Sequence, residues 1–509
     1  HGIIRQSMTN TYSSACFFGL LSLLCSILAL ANTKRHLWIL IIYLIGAGQV
    51  IANDLPDIKN AQSNLISPQQ EQLIGRLVAG NLNRLPSSQA LGVRLWLTDL
   101  VRPLLNHSSL TNKQLQMFLI NDRSINAFAA PGGIIGVHTG LVLKMQHVDE
   151  LVAVLAHEIA HISQRHYAHR RASEERRAPI YLGALLTTMV LATQVDAQLG
   201  EAGFHATYTA MMHEQMSYSR ANEQEADRVG LDLMQASHFD THKMLSALKQ
   251  LDSPFVEQDP NWAWARSHPI SEHRVADIAS RVEQLSAHPS SPHYQLDFQL
   301  LRIMLATQLT DTTKQSLEDV SKRLDPLADH YALYLQFAEA MLLMKQQQWL
   351  EAGDLLEGLA TERPTQPFIW NQWLRALLMQ GQYQQVIEIS QEYADLGLHQ
   401  NLSRYYQALA YAAIKDMDKA YQQLNQLIQA QPDWIGGWQL LADWRGQTAD
   451  FTEHRIAKAQ WHLLRAEFEL AQEQALLGEQ LTTTSDQQRQ QLKHIQAQAK
   501  ALKETANSL

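Results

Sequence analysis

The chain has 509 residues, enough for two or three domains with substantial cores. At 46% hydrophobic and 18% charged residues it reads as folded rather than disordered. The formal charge is -9, and the first 52 residues hold Arg5, Lys34 and Arg35 but no acid, so removing those three cations leaves -12 on the remainder. An acidic body argues against nucleic acid as a partner, because phosphate binding needs a basic surface.

Both cysteines, Cys16 and Cys25, fall in the first apolar stretch, so the rest of the chain has no disulfide and no thiolate metal ligand. Two apolar stretches open the chain, at 15–31 and 37–52. The second follows the basic Asn-Thr-Lys-Arg-His segment, runs as LWILIIYLIGAG and ends in Val50-Ile51-Ala52. That pattern predicts export with cleavage after Ala52. A short membrane hairpin or an uncleaved anchor is the alternative, although each stretch is shorter than the ~20 apolar residues that span comfortably.

Apolar residues at helical spacing predict helices at 71–81 and 91–105. QMFLI at 116–120 reads as a strand, and INAFAAPGGIIGV at 125–137 as strand, Pro-Gly-Gly turn and strand. A helix is expected from about 149 to 172, an apolar run at 179–195 reads as a helix packed near the site or a further membrane contact, and another helix is expected at 216–235. The segment 286–294 (SAHPSSPHY) looks like a linker.

Beyond it the strand patterns stop and a period appears. Trp349, Tyr383 and Met417 are 34 residues apart, as are Ala340, Leu374 and Ala408, while Pro364 and Pro432 differ by twice that. Helix–helix patterning at this period is the tetratricopeptide signature over 335–445. Residues 453–477 read as further repeat-like helix and 485–502 as a closing polar helix.

The chemistry concentrates in LVAVLAHEIAHISQ at 151–164. His157 and His161, four apart, share one helix face and supply two nitrogen ligands for zinc. Glu158 adjoins the first ligand and can serve as general base without binding the metal, the H-E-x-x-H arrangement. The helix is flanked by apolar residues, and burying two imidazoles and a carboxylate there is costly unless they are paired or metal-bound. The best third ligand lies in RANEQEADRVG at 220–230. Glu223 can ligate, Asp227 one turn on can accept the outer N–H of a ligating histidine, and small Ala226 and Gly230 permit close helix approach. Glu225 is the alternative ligand. One zinc per chain is expected, though two nitrogens and a carboxylate would accept other divalent ions.

INAFAAPGG at 125–133, HEIAH at 157–161, NEQEADRVG at 222–230 and SHPISEHR at 267–274, in this order, resemble the periplasmic zinc metallopeptidases that join a gluzincin-type protease domain to tetratricopeptide repeats. The resemblance spans about 60–450. It implies a mainly α fold: an uncertain leader at 1–52, an α+β metallopeptidase domain with a small β-sheet at 53–285, a helical linker at 286–330 and a helical repeat solenoid at 331–509. It implies Glu223 as third ligand, Asp227 as its neighbours' support, and His268 and Arg274 near the metal. His268 could approach the open coordination position and hold the enzyme latent, and either residue could help hold a developing oxyanion. The resemblance further implies a periplasmic setting, misassembled outer-membrane proteins as substrates, and the outer-membrane β-barrel assembly machinery as a partner of the repeats. An exposed edge in 125–137 (Asn126, Ala127, Phe128, Ala129, Gly132 and Gly133) would bind an extended substrate by strand addition. The competing expectations are a mostly latent scaffold or chaperone whose repeats do the main work, and an integral membrane protease anchored by its apolar runs.

Overall fold

The structure is a computed structural model describing residues 66–85, 90–173, 218–254, 256, 259, 261–286, 288, 292–308, 317–322 and 330–508. The leader expected to end at Ala52 and the apolar run 179–195 lie outside the described residues, and among those described no helix is long and apolar enough to cross a membrane. Asn64–Leu509 form one compact unit.

The first helices, α1 (Pro68–Leu82) and α2 (Leu91–His107), bear out the periodic pattern; α1 starts earlier than expected because Ser67 and Gln70 form a capping box with Pro68 at the first turn. Three strands follow: β1 (Gln116–Ile120), β2 (Ala127–Ala130) and β3 (Ile134–His138), in spatial order β1-β3-β2. β1 runs parallel to β3 with Gln116 opposite Ile134, and β2 runs antiparallel to β3 with Ala127 opposite Val137. Gly132 and Gly133, at φ 81° and 83°, make the turn between them, a backbone region that disfavours a Cβ. His138 N–H donates to the Asn126 carbonyl, so by alternation the peptide groups of Ala127 and Ala129 face away from β3 along the outer edge of β2.

That edge looks onto α4 (Val148–Ser163), after the short α3 (Thr139–Lys144). Every residue of α4 from Val148 to His161 is buried, and His147 and Glu150 box its N-terminus. The long helix expected to reach 172 is broken. Arg165 takes a left-handed conformation at φ 51°, tied by its guanidinium to the Ile66 carbonyl and Glu71, and α5 (His166–Ser173) restarts in a new direction. Next, α6 (Arg220–Ala236) starts at Arg220, where Ser219 caps it by accepting from Asn222 N–H. It lies along α4 so closely that a Cβ on Gly230 would sit 3.2 Å from His157 N and 3.3 Å from the Ala156 carbonyl carbon. Three helices, α7 (His242–Leu251), α8 (Ala263–Ser267) and α9 (Glu272–Val282), close the other side.

The segment expected to link the two halves contains α10 (Pro292–Gln308), whose Phe298, Leu300 and Leu301 are fully buried in the same core as α4, and α11 (Leu317–Ser321). Helix pairs then stack in order: α12 (Tyr331–Lys345) with α13 (Trp349–Glu362), α14 (Pro367–Met379) with α15 (Tyr383–Asp395), α16 (Gln400–Ala413) with α17 (Met417–Ala430), and α18 (Ile435–Gln447) with α19 (Phe451–Leu464). Trp349, Tyr383, Met417 and Phe451 each open the second helix of a pair, so the period of 34 runs one unit past the expected window. The turn inside each pair carries a left-handed residue at the same period: Gln347, Gly381, Lys415 and Ala449, with φ between 59° and 78°. Only the glycine adopts this conformation cheaply; the other three accept roughly 1–2 kcal/mol of steric cost because packing of the two helices dictates the turn. The expected helix over 453–477 is two elements, α19 and α20 (Phe468–Glu479), and α21 (Asp486–Ser508) closes the chain.

The repeat half folds back on the first half. Arg94 of α2 pairs with Asp433 at 2.6 Å, the Trp96 and Phe368 rings lie 5.7 Å apart, and Leu73 and Leu77 of α1 pack with Phe468, Ala471, Ala499 and Ala506. Arg84 and Asn83 reach the carbonyls of Arg465 and Leu464.

Two outcomes test this packing. Gly230→Leu is expected to push α6 off α4, lowering stability by about 1–3 kcal/mol in denaturant titration and reducing metal uptake; an unchanged midpoint would mean the close approach is not needed. Asp297 of α10 is 1% exposed, its Oδ1 lacks a hydrogen-bond partner, and its Oδ2 is 3.5 Å from the half-exposed His293. Burial drives its carboxyl up to about 8, with the Trp96 indole opposing. A carboxyl raised in the folded state loses the fold stability as pH climbs from about 4, where the unfolded chain ionises, towards the folded value. Asp297→Asn should therefore raise the thermal midpoint at pH 7, with the gain vanishing below about pH 4; equal midpoints at pH 7 would contradict this reading.

Candidate metal centre

Four side chains from three elements converge beside β2. His157 and His161 project from one face of α4, Glu223 from the first turn of α6, and His268 from the residue that ends α8; all four are at most 2% exposed. His157 Nε2 lies 3.0 Å from His161 Nε2 and 3.4 Å from Glu223 Oε2, while His161 Nε2 lies 3.5 Å from Glu223 Oε1. His268 Nδ1 lies 3.3 Å from His157 Nε2 and 3.0 Å from Glu223 Oε1. Tetrahedral donors with bonds of ~2.0–2.1 Å are roughly 3.3–3.4 Å apart, so these spacings fit one small ion.

The buried groups also set one another's charge. Burial favours neutral Glu223, yet His268 and His157 hold its carboxyl well below the usual range. Burial works against a charged His157, and the carboxylates of Asp227 and Glu223 outweigh it, raising the imidazole to about 9. His161, buried and next to His157, is held well below its ordinary value. A buried carboxylate ringed by imidazole nitrogens is a donor set that could hold a metal ion.

Each ligand candidate is held from behind. His157 Nδ1 is 3.0 Å from Asp227 Oδ1, and Arg274 grips Asp227 through Nε at 2.6 Å and Nη2 at 2.7 Å. The remaining Arg274 nitrogen faces Glu223 Oε2 at 2.9 Å and donates to the carbonyls of His268 and Pro269. The guanidinium is thus spent on Asp227, Glu223 and the His268 loop, a positioning arrangement. Glu158 is fixed at both oxygens: Ala129 N–H donates to Oε2 at 3.0 Å and the Trp264 indole to Oε1 at 2.9 Å. His268 Nε2 stands 3.5 Å from Glu158 Oε1, and its ring stacks on Trp264 at 4.9 Å.

The strand residues expected to meet substrate divide by face. Ala127 and Ala129 present their peptide groups at the outer edge, but all of β2 is buried and the Ala129 N–H is taken by Glu158, so the edge expected to be exposed is a covered one. Phe128 turns the other way, into a small core with Phe118, Ile120 and Ile134, and Asn126 holds the end of β3. Gly132 lines a cleft with Ala129, Pro131, Glu71, Arg165 and Tyr218 that opens beside His161, and Gly133 packs against Leu115. Glu225, the alternative ligand, lies outside the cluster and meets His166.

Three residues here escaped the sequence reading. Trp264 holds Glu158, Tyr218 stacks on His161 with ring centroids 3.9 Å apart, and His166, 2% exposed, places Nδ1 2.9 Å from His161 Nδ1. The only signal was a third histidine five residues past H-E-x-x-H, a spacing that puts it about 140° around a continuous helix from His161.

Residues 93–282 match the family model described as peptidase family M48. The chain is 29% identical over 407 residues to the beta-barrel assembly-enhancing protease of Yersinia pestis, covering 78% of this chain and 81% of that protein. To the protein of the same name in Escherichia coli K12 it is 26% identical over 448 residues, covering 86% and 91%. The mitochondrial metalloendopeptidase OMA1 of Schizosaccharomyces pombe is 28% identical over 184 residues, covering 36% of this chain and 51% of that protein.

Proposed function

For a metalloendopeptidase whose residues 93–282 carry a family M48 peptidase domain, we propose zinc-dependent cleavage, in the periplasm, of outer-membrane β-barrel proteins that have failed to assemble. The observation that carries the reading is Glu158, anchored by Ala129 N–H and the Trp264 indole beside the His157, His161 and Glu223 donors. His157, His161 and Glu223 would hold the zinc, which when bound would supply a Lewis acid to lower the pKa of water toward ~7 and polarise a scissile carbonyl. Glu158 takes the proton of the attacking water and passes it to the leaving amine. Asp227 and Arg274 keep His157 and Glu223 aimed.

Substrate selection follows from the edge of β2. An extended chain that displaces the Ala129 N–H contact to Glu158 pairs with the outward peptide groups of Ala127 and Ala129, and the Trp264 indole then holds Glu158. Recognition through backbone suits exposed β-strands of varied sequence, which an unassembled barrel offers. The helix pairs at period 34, read as tetratricopeptide repeats, form the surface for the assembly machinery or its clients. The relatives' names supply the outer-membrane context, and the segment ending at Ala52 supplies the export signal.

His268 gives the site a resting state. Its Nδ1 sits among the ligand atoms as a fourth donor, where it competes with water, so the peptidase is latent until the loop after α8 moves. This favours a protein whose repeats act as a scaffold while proteolysis stays held back.

Glu158→Gln should retain stoichiometric zinc by elemental analysis and lose casein hydrolysis by about 10²-fold or more; cleavage persisting in that zinc-loaded variant rules Glu158 out as the base. Chelation should abolish wild-type hydrolysis and zinc should restore it. For the latch, His268→Ala should keep zinc bound while hydrolysis of a short unstructured peptide rises above wild type; zinc retention with an unchanged or lower rate removes the latent state.

A further inference from the structure

Metal-binding histidines need their outer nitrogen protonated, so that the inner one offers its lone pair. For His157 the acceptor of that proton is Asp227. Among the described residues no carboxylate stands at the outer nitrogen of His161; His166 does, with the two Nδ1 atoms 2.9 Å apart. If His161 Nε2 ligates, its Nδ1 carries the proton and donates. His166 must then accept at Nδ1 and carry its own proton at Nε2. That nitrogen points at Glu225 Oε2, 3.2 Å away. Tautomer logic leaves no other assignment once His161 is a ligand.

We infer that His166 and Glu225 form a relay that positions and polarises His161, making His166 a positioning residue for the metal centre. The proposal rests on the reading of His157, His161 and Glu223 as metal ligands. The break at Arg165 is what builds the relay, since it swings His166 back onto the His161 ring, whose face Tyr218 covers. The two ligating histidines thereby differ. The carboxylate behind His157 is shared with the Arg274 guanidinium, whereas the one behind His161 is half-exposed and acts through a neutral imidazole.

The test is zinc affinity of the full chain, measured by competition with a chromogenic chelator, alongside thermal unfolding of the zinc-free protein. His166→Phe keeps the ring volume but removes the acceptor and should weaken zinc about 10- to 100-fold. His166→Asn restores an acceptor near the Nδ1 position and should recover most of the loss. Glu225→Ala, at a side chain 54% exposed, should leave the zinc-free midpoint unchanged and weaken zinc by a smaller factor. The double variant His166→Phe/Glu225→Ala should bind no more weakly than His166→Phe, because Glu225 acts through His166. Wild-type affinity in both single variants overturns the relay, as does a Glu225→Ala effect that adds in full to His166→Phe. A wild-type chain that takes up no zinc overturns instead the underlying metal reading, and so separates the two failures.

Discussion

Everything in the protease half depends on the contact between α4 and α6. Two helices far apart in sequence are pressed together at Gly230, and only at that separation do imidazoles from one and a carboxylate from the other meet. The contact is apolar along most of its length, and its polar groups are confined to one end. Hydrophobic burial thus offsets the cost of bringing an anionic carboxylate out of water, and the Arg274 guanidinium 2.9 Å from Glu223 Oε2 compensates its charge.

Around this point the fold spends its buried polar residues on orientation. Arg274 gathers Asp227, Glu223 and the carbonyls of the loop that presents His268, so a single guanidinium joins the ligand set to the candidate latch. Trp264 joins Glu158 to the same loop from the other side, donating to the carboxylate and stacking on His268. Movement of His268 would therefore be felt by Glu158 through Trp264 and by Asp227 and Glu223 through Arg274.

The repeat half reaches the site through packing. The last helices clasp α1, and α1 packs so tightly beneath the β2–β3 turn that a Cβ on Gly75 would lie 2.5 Å from the Pro131 carbonyl. That turn ends the strand whose edge faces Glu158. The two halves also share core: α10, within the segment between them, buries Phe298, Leu300 and Leu301 in the cluster that contains α4.

Much of this was written in local pattern. The H-E-x-x-H spacing, the acidic pair at Glu223 and Asp227, the alternation around Pro-Gly-Gly and the period of 34 depend only on helix and strand geometry, which repeats regularly along a chain. The rest was decided in three dimensions. His166 is out of phase with His161 on a straight helix, and it reaches that ring only because tertiary contacts from Arg165 to Glu71 and the Ile66 carbonyl hold a left-handed break. Trp264 has no periodic relation to Glu158, nor Tyr218 to His161. Phe451 continued the period, but the left-handed Ala449 before it carries no glycine to mark the turn. Side-chain spacing fixes what one element can present; which elements face each other, and at what distance, is set by packing between residues that are distant in sequence, and no local pattern encodes it.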